Sequence, residues 1–241
     1  MSNIFVIVPC YNEAGCVCNV LTHLRAAQPD VTIVAINDGS TDDTLKCLKS
    51  LQDPKLVVID LPINSGIGTA VQTGLLYAER NGADYALKFD SDGQHLAEEI
   101  ALLLEPLQKG EADLVIGSRF LEPQKTGFKS TICRRMGIHL FHFLSKILTG
   151  QGISDCTSGF RAYNRQALEF AARYYPAFDY PEPEESILFL RNGFAVKEVF
   201  CKMAIRQAGS SSIKAYKAFY FMFKVSFAMI MERCRPCKRR I

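Results

Sequence analysis

Five short runs of apolar residues, at 4–8, 31–36, 56–59, 85–89 and 114–116, divide the first half of the chain at near-regular intervals. Each is too short for a helix and too uniformly apolar for a strand with one wet face, so each predicts a strand buried on both sides. Their starts lie 27, 25, 29 and 29 residues apart, close to the roughly 30 residues that a strand, a crossover helix and the next strand require. Between the runs the period changes. Ile67, Ala70, Val71, Gly74, Leu75 and Ala78 repeat at helical spacing, and Leu96, Ile100, Leu103, Leu104 and Leu107 follow nearly the same template. Residues 1–117 therefore predict a repeated β-α unit around a parallel sheet.

Sheets of this kind bind ligands beyond the carboxyl ends of their strands, where right-handed crossovers leave a crevice. The polar clusters fall at that edge: 9–13, 37–42, 64–68, 90–95 and 117–119. Any one of them fits ordinary turn or helix-cap chemistry; five on one rim mark a candidate site. No G-x-G-x-x-G follows the first strand, so a dinucleotide reading loses its main support. Asp90 and Asp92 are the sharpest feature. Residues i and i+2 of an extended segment point the same way, so these carboxylates, with Gln94 after them, converge on one cation. Magnesium or manganese is held in this manner by one or two carboxylates, with water and phosphate oxygens completing the shell. In isolation, the same D-x-D reads first as a turn capping the helix that starts near Leu96.

At 241 residues and 48% hydrophobic, the chain buries a proper core in one large α/β domain, which excludes disorder and low complexity. Lys and Arg total 28 against 25 Asp and Glu, a net charge of +3. That sum hides an asymmetry: residues 214–241 hold eight basic side chains and one acid, +7, which leaves −4 for the body. An acidic body with one basic end disfavours a nucleic-acid binder. Residues 1–9 have no basic region ahead of their apolar run and do not read as a secretory signal. Nine scattered cysteines, an odd number, are then expected as thiols in a cytoplasmic setting. Cys16/Cys18 and Cys234/Cys237 would be zinc half-sites, but no compact partner pair supplies four ligands.

Two segments are amphipathic. Met136, Leu140, Phe143, Leu144 and Ile147 form a helical stripe with Arg134 and Arg135 at its start; it suits an interfacial helix and a core-packing or protein-facing helix equally. The stretch 215–231 is rich in aromatics, and Lys217 and Lys224 cut it into uncharged runs of six and seven residues, far below the 18 or more of a spanning helix. Aromatics, edge lysines and the basic residues from Arg233 to Arg240 predict a helix lying on an anionic membrane surface. A homo-oligomer contact or a small membrane-protein partner would use the same face.

The segments VPCYNE, NDGSTDDT, NSGIGTAVQTG, FDSDGQH, VIGSRF and DCTSGFRAYNR occur in this order between Val8 and Arg165. As a set they resemble the family-2 glycosyltransferases with the GT-A fold, most of all the dolichol-phosphate mannose synthase and polyprenyl-phosphate glycosyltransferase group, over about residues 3–210. The resemblance implies a Rossmann-like, mostly parallel α/β sheet flanked by helices, with residues 1–212 as the transferase domain; the amphipathic, basic pattern above makes 213–241 a membrane-associating C-terminal segment. It implies that Pro9, Tyr11, Glu13 and Asp38 hold the nucleoside and that Gly66 and Gly68 let backbone approach it closely. Asp90, Asp92 and Gln94 would hold Mg2+ or Mn2+ on the diphosphate. Arg119, and Arg206 in a run like R-x-x-G-x-S, would act with Asp92 in catalysis by neutralising the leaving group; without the resemblance, Arg206 reads as a surface residue. NDGSTDDT departs from the DNSPDGT-like run of the mannose synthases, and Leu96 follows His95 where they usually carry proline. Base and sugar are therefore not fixed.

The reaction implied is inverting transfer of a sugar from a UDP- or GDP-linked donor to a polyprenyl phosphate, with Arg134, Arg135, Ser158 and Arg161 on the acceptor. Glu184 and Glu185 are the carboxylates to watch if a base is required, and equally suit acids at a helix start after Pro183. A lipid phosphate oxygen is already anionic, whereas a sugar hydroxyl needs a base. Chain-extending relatives often carry Q-x-x-R-W, and this sequence has no tryptophan, which favours the lipid phosphate. Two alternatives stand beside this reading: extension of a glycan with Glu184, Glu185 or Asp155 as base, and a catalytically silent nucleotide-binding module that recruits a membrane partner. The expected location is cytoplasmic, peripheral at the inner face of the membrane.

Overall fold

All five expected strands form, within two residues of the apolar runs: β1 (Ile4–Cys10), β2 (Thr32–Asp38), β3 (Leu56–Leu61), β4 (Tyr85–Lys88) and β5 (Leu114–Ser118). The helices between and after them are α1 (Val17–Ala27), α2 (Thr44–Ser50), α3 (Ile67–Arg80), α4 (Ile100–Gln108), α5 (Ile132–Thr149), α6 (Arg165–Tyr174), α7 (Pro181–Arg191) and α8 (Ala215–Cys234). Two further strands, β6 (Arg161–Asn164) and β7 (Val196–Phe200), complete the set. The computed structural model describes residues 2–122, 132–176, 180–204 and 215–237, with backbone alone for 132–135 and 215–219.

The sheet order is β3-β2-β1-β4-β6-β5-β7. β6 runs antiparallel to both neighbours, while the remaining pairings are parallel. Alternation along β1 shows how both faces are covered. Phe5 and Ile7 enter the core beneath α3, α6 and α7, and Val6 and Val8 enter the one beneath α1 and α4. α3 lies unusually close to the sheet: a Cβ on Gly74 would stand 2.4 Å from Ile7 Cγ2 and 2.9 Å from Ile36 Cδ1. This approach brings the start of α3 to the carboxyl edge of β1 and β2.

The C-terminal helix is docked and does not trail from the domain. Val225 and Met229 of α8 are buried in the larger core, the Phe221 ring meets Phe141 of α5 edge-on at 5.9 Å, and Arg191 of α7 binds Glu232. Among the described residues no helix is long and apolar enough to cross a membrane.

Candidate active site

A cleft of about 470 Å³ opens at the carboxyl edge of the parallel strands. Pro9, Tyr11 and Glu13 line it from the end of β1, Asp38 from β2, Asn64, Gly66 and Ile67 from the start of α3, Asp90 and Asp92 from the end of β4, and Tyr180 and Glu182 from the start of α7. The loops after β1 and β2 are stitched together by the polar motif at 37–44. Ser40 Oγ accepts the Asn12 N–H (3.1 Å), Thr44 Oγ1 the Glu13 N–H (2.8 Å) and Asp42 Oδ2 the Ala14 N–H (3.2 Å). Asp38, nearly buried, accepts the N–H of Ser65 at 2.8 Å and of Gly66 at 2.9 Å, so one carboxylate ties β2 to the mouth of α3. Two glycines make the approach sterically feasible. Gly66 has φ +88°, and at Gly39, with φ +60°, a Cβ would lie 2.4 Å from Asn64 N.

Asp90 and Asp92 stand beyond β4 in a loop that fixes both. Asp92 Oδ1 accepts the Gln94 N–H (3.0 Å). The Asp90 N–H donates to His95 Nδ1 (2.9 Å), which leaves the proton on Nε2, 3.4 Å from Asp90 Oδ2. His95 is buried and stacked on Phe160 at 4.6 Å. Burial pushes its pKa down to about 4, despite the nearby Asp90 charge, so the ring is neutral and acts as a dipolar brace. Behind Asp90, Lys88 is fully buried and ion-paired with Glu182. Burial alone would lower its pKa, but Glu182 and Asp90 hold it above the ordinary lysine value.

The donor set suits a hard divalent cation. Two carboxylates at the cleft wall match the way magnesium and manganese bind, with substrate oxygens and water filling the shell. Among the described residues no group of three His, Cys, Asp or Glu side chains forms an all-protein cage. Gly159 keeps the space over Asp90 open: a Cβ there would lie 3.0 Å from Asp90 Oδ2.

The family model for glycosyl transferase family 2 matches residues 5–170, a span that contains every rim loop described above except the start of α7. The chain belongs to glycosyl transferase family 2. It is 27% identical to the UDP-N-acetylglucosamine--dolichyl-phosphate N-acetylglucosaminyltransferase of Methanococcus voltae, over 95% of this chain and 98% of that one. It is 33% identical to the polyprenol monophosphomannose synthase of Mycolicibacterium smegmatis, over 92% of this chain and 84% of that one. Among solved structures, glucosyl-3-phosphoglycerate synthase from Mycobacterium tuberculosis, crystallised with Mn2+, UDP-glucose and phosphoglyceric acid, superposes with a TM-score of 0.72 at 20% identity, covering 98% of this chain and 81% of that one. The protein is thus a glycosyltransferase of the GT-A fold.

Within that family frame, the donor-side expectations gather on one wall: Pro9, Tyr11, Glu13, Asp38, Gly66, Asp90 and Asp92 all line the cleft. Gly68 lies just inside, buried in the first turn of α3. Gln94 is not among the residues that line the cleft; its N–H donates to Asp92 and its carbonyl accepts the Ala204 N–H at 2.9 Å. Arg206 lies outside the described residues, as do the side chains of Arg134 and Arg135.

On the far side, several expected ligands face inward. Arg161 is fully buried, bonding Glu185 Oε2 (2.9 Å), Ser158 O (2.9 Å) and Cys156 O (3.0 Å). Glu185 holds the Arg161 guanidinium above its ordinary pKa in spite of burial, and its other oxygen accepts from Tyr163 Oη (2.7 Å). The expectation that Arg161 and Glu185 meet the acceptor is corrected accordingly: they neutralise each other inside the domain. Ser158 likewise turns inward, its Oγ donating to Gly117 O at 2.5 Å. Arg119 grips Asp155, and Glu184 accepts from Arg235 at 3.1 Å.

Sequence reasoning missed Tyr180, Glu182, Lys88 and the bracing role of His95. A lysine at the end of an apolar strand run was the available signal for Lys88, since an ammonium in a fully buried strand demands an acid. Nothing local singles out Glu182 among the three glutamates of PEPEES.

Proposed function

We propose that this cleft transfers a sugar, with inversion, from a nucleoside diphosphate donor to the phosphate of a polyprenyl lipid. The carrying observation is that the Asp90/Asp92 pair and the glycine-backed donor loops open into one cleft. The acceptor phosphate oxygen forms its bond to the anomeric carbon as the bond to the diphosphate breaks. Asp90 and Asp92 would hold Mg2+ or Mn2+, which supplies charge neutralisation for the departing diphosphate. Arg206 and Arg119 are the arginines proposed to join that task. Tyr11, Glu13 and Asp38 would hold the nucleoside.

The state of the candidate bases supports a phosphate acceptor over a sugar hydroxyl. Asp155 is bound by Arg119, Glu185 by Arg161 and Glu184 by Arg235, and none of the three is among the residues that line the cleft. The relatives named for transfer to dolichyl or polyprenyl phosphate span nearly the whole chain, which supports the same acceptor class.

A bilayer-facing surface accompanies this reading. Met136, Phe143 and Ile147 of α5 and Tyr220, Phe223 and Phe227 of α8 are exposed on two helices that pack together, Phe223 at 73% and Tyr220 at 68%. The one acid on either helix, Glu232, is buried and paired with Arg191 and Arg235. An apolar face whose other charges are all basic suits anionic headgroups, which supports a cytoplasmic, peripheral location.

Purified protein with Mg2+ or Mn2+, labelled UDP- and GDP-sugars, and undecaprenyl or dolichyl phosphate tests the reaction. Label entering the organic phase is expected. Label found only on saccharide acceptors would refute the lipid acceptor, and donor binding without turnover would leave a silent nucleotide-binding module.

A further inference from the structure

The register of β4 against β6 sets Lys88 directly opposite Arg161. Both side chains are fully buried, and two cations facing each other across a ladder repel unless acids answer them. Both answering acids come from α7: Glu182 pairs with Lys88, and Glu185 with Arg161 at 2.9 Å. Three residues apart, they lie on one face of that helix, so the two ion pairs admit one seating of α7 on the sheet. Its first turn is the part that reaches the cleft, through Tyr180 and Glu182. Lys88 also borders the metal carboxylate. A Cβ on Gly159 would stand 3.1 Å from Lys88 Nζ and 3.0 Å from Asp90 Oδ2, so ammonium and carboxylate flank one small space that only glycine leaves open.

We propose that Lys88 is a positioning residue: through Glu182 it sets the first turn of α7, the wall opposite the donor loops, at a fixed place relative to Asp90. This rests on the reading of the cleft as the transfer site. The donor wall has its own anchors in Asp38 and Thr44, so loss of Lys88 displaces the far wall and spares the near one.

The test uses the full chain with Lys88→Met, Glu182→Gln, the double variant, and Lys88→Arg. The double variant removes both buried charges together and keeps the test alive if a single variant misfolds. In hydrogen–deuterium exchange the first turn of α7 is expected to exchange faster in Lys88→Met and in the double variant, with 64–70 unchanged. In kinetics, KM for polyprenyl phosphate should rise about tenfold or more, while UDP affinity by calorimetry without metal stays within about twofold of wild type and Lys88→Arg recovers most of the loss. Unchanged exchange at 180–186 overturns the proposal, as does an equal loss of UDP affinity. A wild type that transfers to no lipid phosphate would sink the proposed function instead, and the exchange pattern would still decide for or against the clamp.

Discussion

Asp155 takes the guanidinium of Arg119 in a two-pronged grip, Nε to Oδ2 at 2.7 Å and Nη2 to Oδ1 at 2.8 Å, and accepts the Arg119 backbone N–H as well. The Asp155 side chain is fully buried. Burial alone would lower the Arg119 pKa, but Asp155 keeps it above its ordinary value. Removing one partner of such a pair strands the other's charge. Asp155→Ala should therefore cost about 3–5 kcal/mol of stability, measured as the loss of unfolding free energy in urea.

Asp92→Ala is expected to lower the transfer rate by about 100-fold or more, the scale of one lost preorganised electrostatic contact. Circular dichroism and the melting temperature should stay near wild type. Full activity in this variant would remove Asp92 from the metal site.

The buried His95 gives the metal-free protein a defined acid sensitivity. Its folded pKa of about 4 lies below the ordinary 6.5, so between those values the unfolded chain binds a proton that the folded chain refuses. Stability contributed by the neutral ring is complete above about pH 6.5 and is lost as pH falls toward 4, up to about 3 kcal/mol. Unfolding free energies measured in EDTA from pH 7 to 4 should fall more steeply for wild type than for His95→Asn. Parallel curves would show that the ring takes up its proton while folded.

Phe223→Glu combined with Phe227→Glu should abolish binding to vesicles rich in anionic lipid and leave the unfolding transition within about 1 kcal/mol of wild type, since both rings are exposed. Co-sedimentation and thermal unfolding check the two halves. Retained vesicle binding would count against the membrane-facing role, and an accompanying loss of a dimer in ultracentrifugation would assign the face to a second copy. Deleting α8 is a poorer experiment, because Val225 and Met229 would leave the core with it.

The first half of the molecule was legible because its chemistry is local. Each strand is a near-continuous apolar run, α3 and α4 each show a helical period, and each rim loop closely follows its strand. The far half was not. β6 reads Arg-Ala-Tyr-Asn, with no apolar run, because its arginine is buried by virtue of a glutamate 24 residues further on. Ser158, Arg161 and Glu185 carry the polar signature of ligands, yet their partners are one another, Tyr163 and nearby backbone. Sequence shows that a charge is present; only the fold shows whether another charge already answers it.

The reversed β6 also divides the molecule along its length. The segment before α4 supplies one side of the cleft, the start of α7 supplies Tyr180 and Glu182, and Gly159 of the loop before β6 leaves the space over Asp90 open. The later segment must therefore meet the earlier one at two fixed points, a glycine over Asp90 and an acid for Lys88.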